Sequence, residues 1–347
     1  MQAAKEVAKA RESNHINNGT KFVLYLVDSY FDAENQAEEL GAIGGDLVMS
    51  VPTDKEPSTI SVDTLVGKVR DHSDHLPSVV VGFGGGATMD SAKAVSNLLT
   101  NGGRAENYQG WDLLQVAGVH KVGIPTISGT GAESSRTCVI SNAQTGAKLG
   151  MNSKFSLFNS IILDPSFSES VPREQFFYTG MDTYLHCIES LNGRFRNVFA
   201  DALAREALNL VKGVFDSKDM MGFEQRQELM TASCLGGMAI AGSYVGLIHP
   251  MSAALSIVFG THHCVANCIV MRAIEPYYPA EYREFWAMVD TQGVEIPTVK
   301  GVSFTQDQLE RLESATLVHE RPLSNALGLD FGNALGGGRL QELFSML

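Results

Sequence analysis

The feature that most constrains this chain is an apolar run that ends in three glycines, SVVVGFGGGATMDSAKAVS. The run Val79–Val81 is continuously apolar, as in a parallel strand covered on both faces. It leads directly into Gly84, Gly85 and Gly86, and the residues that follow have helical composition. Glycines allow a ligand close to backbone N–H groups, and a helix N-terminus favours an anion. The stretch therefore predicts a strand, a phosphate-binding loop and a helix, although it lacks the GxGxxG pattern and a simple turn uses the same glycines.

Strand and helix patterns alternate through the first half of the chain. The run Phe22–Val27 predicts a buried strand ending at Asp28, DLVMSV predicts a second strand, and STISVDTLVGKVRDH predicts a helix that Ser58 or Thr59 caps. Such alternation is typical of a doubly wound α/β domain.

From about Pro172 the pattern changes to long helical runs with almost no strand signal. A length of 347 residues also exceeds one ordinary core. We therefore predict an α/β dinucleotide-binding domain over residues 1–168 and an all-α domain over 169–347.

Two pairs of residues with metal-binding side chains lie in the helical half. Asp182 and His186 are four residues apart, so on a helix they share one face. His249 and His263 are fourteen apart, too far along one straight helix to reach the same ion, so we expect a break at Gly260. Three imidazoles and a carboxylate suit iron(II) or zinc. Taken alone, the residues also fit a surface Asp and histidines that are hydrogen-bonded within a helical domain.

These motifs together resemble the iron-containing alcohol dehydrogenase family, whose fold also occurs in dehydroquinate synthase. Members carry GGGSxxDxAK, PTxxGTxxE, GxDAxxHxxE and a later pair of histidines. The corresponding segments here are GGGATMDSAK at Gly84 to Lys93, PTISGTGAES at Pro125 to Ser134, GMDTYLHCIE at Gly180 to Glu189, and His249 with His263.

The resemblance implies hydride transfer between an alcohol and NAD(H) at one divalent metal, Fe²⁺ or Zn²⁺, in a cleft between the domains. The implied metal ligands are Asp182, His186, His249 and His263. The implied cofactor-binding residues are Asp28, Gly84, Gly85, Gly86, Asp90, Thr126, Thr130 and Lys148. Asp28, at the end of the first strand, is expected to bind the ribose diol and repel a 2′-phosphate, although Asp is also common in turns.

The chain departs from the family pattern in its polar contacts. Ala87 replaces the usual Ser of the glycine loop, and Ala253 stands where many members have a proton-relaying His. His262, or a ribose hydroxyl with water, is the candidate replacement, although a ring beside a ligand is more often only a hydrogen-bonded neighbour. The strand that usually precedes Lys21 is missing, and the tail is Gly-rich.

Within the family the chain is most similar to the 3-deoxy-manno-octulosonate 8-oxidases, which implies oxidation of the terminal alcohol of a sugar acid. Arg136 is the leading candidate to bind the substrate carboxylate. Arg194 and Arg196 are further candidates, or simply solvated loop charges.

Composition excludes several partners. The net charge of −13 argues against nucleic acid and anionic membranes, and no run approaches the length of a membrane span. Five cysteines, an odd number, indicate reduced thiols, and Cys264 and Cys268 with His262 form an incomplete zinc pattern. We expect a cytoplasmic homodimer that acts on a small alcohol or sugar acid.

Two other functions stay open. A sugar-phosphate cyclase of the 3-dehydroquinate synthase type also uses NAD and a metal, but its first ligand is Glu and it needs clustered Lys and Arg. A binding module that kept the fold is the other alternative, since Ala253 and the unusual ends depart from the family.

Overall fold

The computed structural model describes residues 2–14, 22–53, 56–299 and 304–347. The chain forms two compact units, the first Met1–Ile127 with Ala132–Phe167 and the second Ser128–Gly131 with Ser168–Leu347. The major division falls one residue before the predicted boundary at 168, but the short segment Ser128–Gly131 belongs to the second unit. The confirmed fold class is therefore a parallel α/β unit followed by a helical unit.

The main sheet of the first unit is parallel throughout, with strand order β2-β1-β3-β5-β8. Its two faces bury separate apolar cores: along β1, Val23, Tyr25 and Val27 face one core, while Leu24 and Leu26 face the other. This explains the continuous apolar runs, because a strand covered on both faces has no solvent side. The strands are β1 (Val23–Asp28), β2 (Leu47–Val51), β3 (Val79–Gly84), β5 (Lys121–Pro125) and β8 (Ser160–Ile161).

A second, three-stranded sheet was not predicted from the sequence. Its order is β4-β7-β6, with β6 and β7 antiparallel and β4 parallel to β7. The strands are β4 (Gly110–Trp111), β6 (Thr137–Ser141) and β7 (Lys148–Asn152).

The helices of the first unit cover the two faces of the main sheet. Ser58 caps α3 with a capping box, as its position predicts. The helices are α1 (Gln2–Ser13), α2 (Ala33–Glu39), α3 (Thr59–His72) and α4 (Gly86–Asn101).

The described part of the second unit is helical. Its longest run of buried side chains is on α5, where every residue from Phe176 to Ser190 is buried. The helices are α5 (Arg173–Asn192), α6 (Val198–Asp216), α7 (Phe223–Ser243), α8 (Ile248–Phe259), α9 (His263–Val270), α10 (Pro279–Gln292), α11 (Gln306–Leu317), α12 (Glu320–Leu327), α13 (Phe331–Leu335) and α14 (Arg339–Phe344).

In the described residues, no single helix has both the length and the apolar composition to cross a membrane. Only α7 and α8 counted together reach that composition, and they are bent by 104°.

Candidate functional site

Helix α5 carries three polar side chains that the surrounding core buries. Asp182, His186 and Glu189 are separated by four and three residues, so they lie along one face of the helix. All three are buried. Buried charges need partners, and the partners come from two later helices.

The second pair of histidines is brought together by the predicted break. Helix α8 ends at Gly260, which has a left-handed φ of 69°, and α9 starts three residues later at His263. His249 is the second residue of α8 and His263 the first of α9. The turn at Gly260 therefore lets the N-termini of both helices approach α5. Their rings lie 5.6 Å apart, centroid to centroid.

The Asp182 carboxylate is the common neighbour of the three imidazoles. Its Oδ1 lies 3.2 Å from His249 Nε2 and 3.6 Å from His186 Nε2, and its Oδ2 lies 4.0 Å from His263 Nε2. Ligand atoms at about 2.0–2.2 Å from one cation lie roughly 3–3.6 Å from each other. Most of these separations therefore already match those around a bound divalent ion. Asp182, His249 and His263 each offer an atom within 4.8 Å of the others.

His186 is suited to bind a cation as a neutral ring. Burial, reinforced by nearby His249, lowers the pKa of His186 to about 4, so the ring is uncharged at neutral pH. It stacks on His249 at 4.6 Å between centroids, and its Nδ1 is buried with no hydrogen-bond partner among the described residues. The other ring nitrogen, Nε2, lies 3.6 Å from Asp182 Oδ1 and is the atom that faces the cluster.

Glu189 orients the His249 ring by contacting its Nδ1, the nitrogen that does not face Asp182. Its Oε2 lies 2.5 Å from His249 Nδ1, and its Oε1 accepts the backbone N–H of Ile248 at 2.5 Å. With Nδ1 donating to Glu189, Nε2 is the atom directed at Asp182, the arrangement found for metal-bound histidines. The sequence analysis assigned Glu189 no role, although its spacing from Asp182 and His186 places it on the same helix face.

Electrostatics in the cluster keep the carboxylate ionised. Burial opposes ionisation of Asp182, but His186 and the other two imidazoles hold its pKa below the ordinary value. Burial likewise opposes the charge on His249, yet Glu189 and Asp182 outweigh it and raise the pKa of His249 to about 9. The Asp182 carboxylate is therefore ionised inside the protein, with the His249 ring beside it as its counter-charge.

The relay positions differ from each other in exposure. Ala253 lies buried one turn after His249 on α8 and offers no polar atom, whereas His262 caps α9 next to His263 and is exposed. His262 thus directly precedes the proposed ligand His263 at the start of α9.

The glycine loop of the first unit follows β3, as predicted. Gly84 has a φ of +156°, and a Cβ there would lie 2.6 Å from both Asp28 Cβ and Thr88 Oγ1. Gly85 is the N-cap of α4, and its N–H points to Asp28 Oδ2 at 3.4 Å. Gly86 is the first residue of that helix. The backbone thus forms an open helix N-terminus that can bind a phosphate.

Asp28 closes β1 beside this loop. Besides Gly85, it accepts hydrogen bonds from the Tyr30 N–H at 3.0 Å and from Thr53 Oγ1 at 2.8 Å, and only 8% of its surface is exposed. Asp28 therefore has the structural role of a turn residue as well as the position predicted for ribose binding.

The other predicted cofactor residues do not all lie at the loop. Thr126 does, since its N–H donates to the Gly84 carbonyl at 3.0 Å. Asp90, on α4, accepts the Val139 N–H at 3.0 Å, and burial raises its pKa to about 6. Lys148 is paired with Glu56 at 2.5 Å, and Thr130 belongs to the short segment of the second unit.

Lys93 is a motif residue that the sequence analysis left without a role. Its amine is fully buried and donates to the carbonyls of Ser135 at 2.9 Å and Thr137 at 2.7 Å. It thereby fixes the start of β6 to α4. The signal in the sequence was a Lys within a helix whose only other charged residue is Asp90.

Two of the three candidate arginines for the substrate form ion pairs with acidic side chains of the protein. The Arg136 guanidinium pairs with Asp112 and lies 5.9 Å from the centre of the Trp111 ring. Arg196 pairs with Asp201 at 2.5 Å, and the backbone N–H of Arg194 donates to the Asn325 carbonyl. Arg196 lies in the loop between α5 and α6, and its charge is paired with Asp201.

Comparison with known families agrees with this geometry. Residues 18–165 match the iron-containing alcohol dehydrogenase profile, and residues 176–293 match the C-terminal profile of the Fe-containing alcohol dehydrogenase family. The chain belongs to the iron-containing alcohol dehydrogenase family.

Individual relatives share about a third of their residues with this chain, over part of its length. Sulfoacetaldehyde reductase of Bilophila wadsworthia is 30% identical over 63% of this chain, and 1-propanol dehydrogenase PduQ of Salmonella typhimurium is 32% identical over 65%. The matches span 57% and 60% of those relatives, less than two thirds of their length. The solved sulfoacetaldehyde reductase from Bifidobacterium kashiwanohense in complex with NAD⁺ superposes with a TM-score of 0.79 over 98% of this chain and 93% of that one, at 21% identity.

Proposed function

We propose that this chain is a metal-dependent oxidoreductase that interconverts an alcohol and its carbonyl compound with NAD(H). The observation that carries the proposal is the buried cluster of Asp182, His186 and His249 with His263, in which Glu189 directs His249 Nε2 at Asp182. Membership of the iron-containing alcohol dehydrogenase family supports it.

The residues present fit both implied groups. Asp182, His186, His249 and His263 would hold a divalent cation, and the loop Gly84–Gly86 would bind the pyrophosphate of NAD. The cation supplies polarisation of a substrate oxygen, and the nicotinamide supplies the hydride acceptor or donor.

The protein's own side chains prepare the centre for this chemistry. Burial keeps His186 neutral, so its nitrogen is available as a ligand at physiological pH. Glu189 fixes the orientation of His249. Exposed His262 is our proposed route for the proton to solvent, because buried Ala253 has no group that could carry it.

Metal analysis tests the ligand assignment. We expect His249→Ala and His263→Ala to lose the stoichiometric metal of the wild type after dialysis against a chelator. The matched control is His120→Ala, which removes a partly exposed histidine of the first unit. Retention of metal by both ligand variants would refute the assignment, and whether iron or zinc is loaded is read from the same measurement.

A second test concerns the proton route. We expect His262→Gln to slow alcohol oxidation and to remove the acidic limb from the pH profile of kcat, because a protonated ring cannot accept the substrate proton, with the metal content unchanged. A wild-type pH profile in this variant would contradict the role.

For the substrate, we propose a terminal primary alcohol on a sugar acid, with 3-deoxy-manno-octulosonate as the leading candidate. Support comes from the sequence resemblance and from Arg136, whose side chain is 24% exposed and whose guanidinium has more N–H donors than its pair with Asp112 uses. The ion pair with Asp112 already occupies part of this side chain.

Short-chain aldehydes are the second candidate, because the relatives named above reduce sulfoacetaldehyde or oxidise 1-propanol. A screen of primary alcohols, aldehydes and sugar acids, with NAD and with oxygen alone, separates the two. On the sugar acid, Arg136→Ala should lower kcat/KM by about 30-fold or more with the metal retained, since a charged hydrogen bond is lost.

Asp112→Asn is the control, because it breaks the ion pair but keeps the arginine. If simple alcohols are used as well as the acid, or if Arg136→Ala leaves the acid unaffected, the sugar-acid assignment fails and the oxidoreductase proposal stands.

A further inference from the structure

Helix α9 presents more than one side chain to the metal cluster. His263, Cys264 and Asn267 occupy positions i, i+1 and i+4, which share a broad face of a helix. His263 is a proposed ligand, and the other two side chains both contact the carboxylate of Asp182.

Asn267 makes the shorter of these contacts. Its side-chain amide donates to Asp182 Oδ1 at 2.6 Å, and the same Nδ2 lies 3.4 Å from His263 Nε2. The residue is fully buried, and its Oδ1 has no hydrogen-bond partner among the described residues. A buried amide with an unsatisfied oxygen is unfavourable. Its presence here calls for a role that apolar packing would not serve.

The contacts of Asp182 show what that role is. Its Oδ1 accepts the Asn267 amide, and its Oδ2 lies 3.8 Å from the Cys264 thiol. A carboxylate without such contacts can rotate and bind a cation through one oxygen or two. With a neutral donor on each oxygen, the orientation of Asp182 is set before a cation binds, and neither donor carries a charge that would repel the cation.

We propose that Asn267 is a positioning residue of the metal centre, which holds Asp182 as a one-oxygen ligand and thereby sets metal affinity and coordination number. This inference rests on the metal centre of the proposed function. It concerns a residue that is not itself one of the four ligands.

The test uses Co²⁺ loaded into the metal-free protein, with affinity measured by competition against a chelator and coordination read from visible absorption. In Asn267→Leu, which keeps the approximate volume but has no donor, we expect affinity to fall about 10- to 100-fold. We also expect weaker visible absorption per cobalt, because a freed Asp182 that binds through two oxygens raises the coordination number above four.

Asn325→Leu is the matched control. Asn325 is another fully buried asparagine of the second unit, and its amide donates to the backbone carbonyl of Val245 at 3.0 Å instead of to a cluster residue. Asn267→Ala provides the same measurement if the leucine is not tolerated in α9.

The outcomes are distinct. Wild-type protein that binds no Co²⁺ would refute the proposed function. Wild-type binding with unchanged affinity and spectrum in the Asn267 variants would overturn only the positioning role, as would an equal loss in Asn325→Leu. A loss and a spectral change confined to the Asn267 variants would support it.

Discussion

Replacing Glu189 by Gln tests whether the buried carboxylate behind His249 fixes the ligand orientation. The two oxygens of Glu189 accept from two different donors, Ile248 N–H and His249 Nδ1–H, both at 2.5 Å. A glutamine has one oxygen and one NH₂ group, so it can accept from only one of them. The NH₂ group then faces the other donor.

The smallest adjustment that avoids two facing donors is a change of the His249 tautomer. If the Gln NH₂ faces His249, the ring must move its proton from Nδ1 to Nε2, and Nε2 then presents N–H instead of a lone pair to the position beside Asp182. Loss of such an outer partner typically lowers metal affinity 10- to 100-fold, or about 1.4–2.7 kcal/mol. We expect Glu189→Gln to lose metal affinity in this range.

Isothermal calorimetry of Zn²⁺ binding to metal-free protein measures the effect. Glu284→Gln is the control, because it removes a half-buried acid of the same unit that pairs with Lys212 and Tyr184 instead of with a metal-cluster residue. Unchanged zinc affinity in Glu189→Gln would refute the argument that Glu189 selects the ligand tautomer.

Three further predictions concern the first unit. Asp28→Ser should narrow the preference for NAD over NADP, because charge repulsion of the 2′-phosphate is lost; tighter NADP binding by the wild type in calorimetry would contradict it. Gly84→Ala should lower the melting temperature and abolish NAD binding, because its Cβ would lie 2.6 Å from Asp28 Cβ; a wild-type melt would count against this. Burial, helped by Lys93, lowers the pKa of Lys121 to about 8 from 10.5. The unfolded chain therefore keeps this proton to a higher pH than the folded chain does. The free energy of unfolding should rise between about pH 8 and 10.5, by on the order of 3 kcal/mol. Denaturant titrations at several pH values measure this rise in the free energy of unfolding, and it should be absent in Lys121→Met.

Periodicity and composition predicted most of the fold because they depend on local patterns. The apolar run before Gly84 and the helical runs after Pro172 each identify an element without reference to the rest of the chain. The sheet of β4, β6 and β7 escaped prediction because β4 has two residues, and β6 and β7 lie half-exposed without a continuous apolar pattern. Its strands are defined by long-range pairing, which a local pattern does not show.

The candidate ligands could be proposed from the sequence because their spacing along the chain is a local pattern. Their outer partners could not, because those contacts join distant parts of the chain. Asp182 and His186 have helical spacing, and Gly260 marks a break that lets His249 and His263 meet. The roles of buried polar groups such as Glu189 depend on which side chain of another helix they contact. From the sequence alone, a Glu within a helix is expected to be exposed to solvent, and only the structure shows that Glu189 is buried.

The two sites can be separated by mutation because their residues belong to different compact units. Asp182, Glu189 and Asn267 lie in the second unit with the other metal-cluster residues, whereas Asp28 and Gly84 lie in the first. A variant that disturbs only the metal cluster should therefore lose metal and keep NAD binding, and a glycine-loop variant should do the reverse. Loss of both functions from one substitution would indicate general unfolding, so each variant carries its own internal control: the ligand of the other unit.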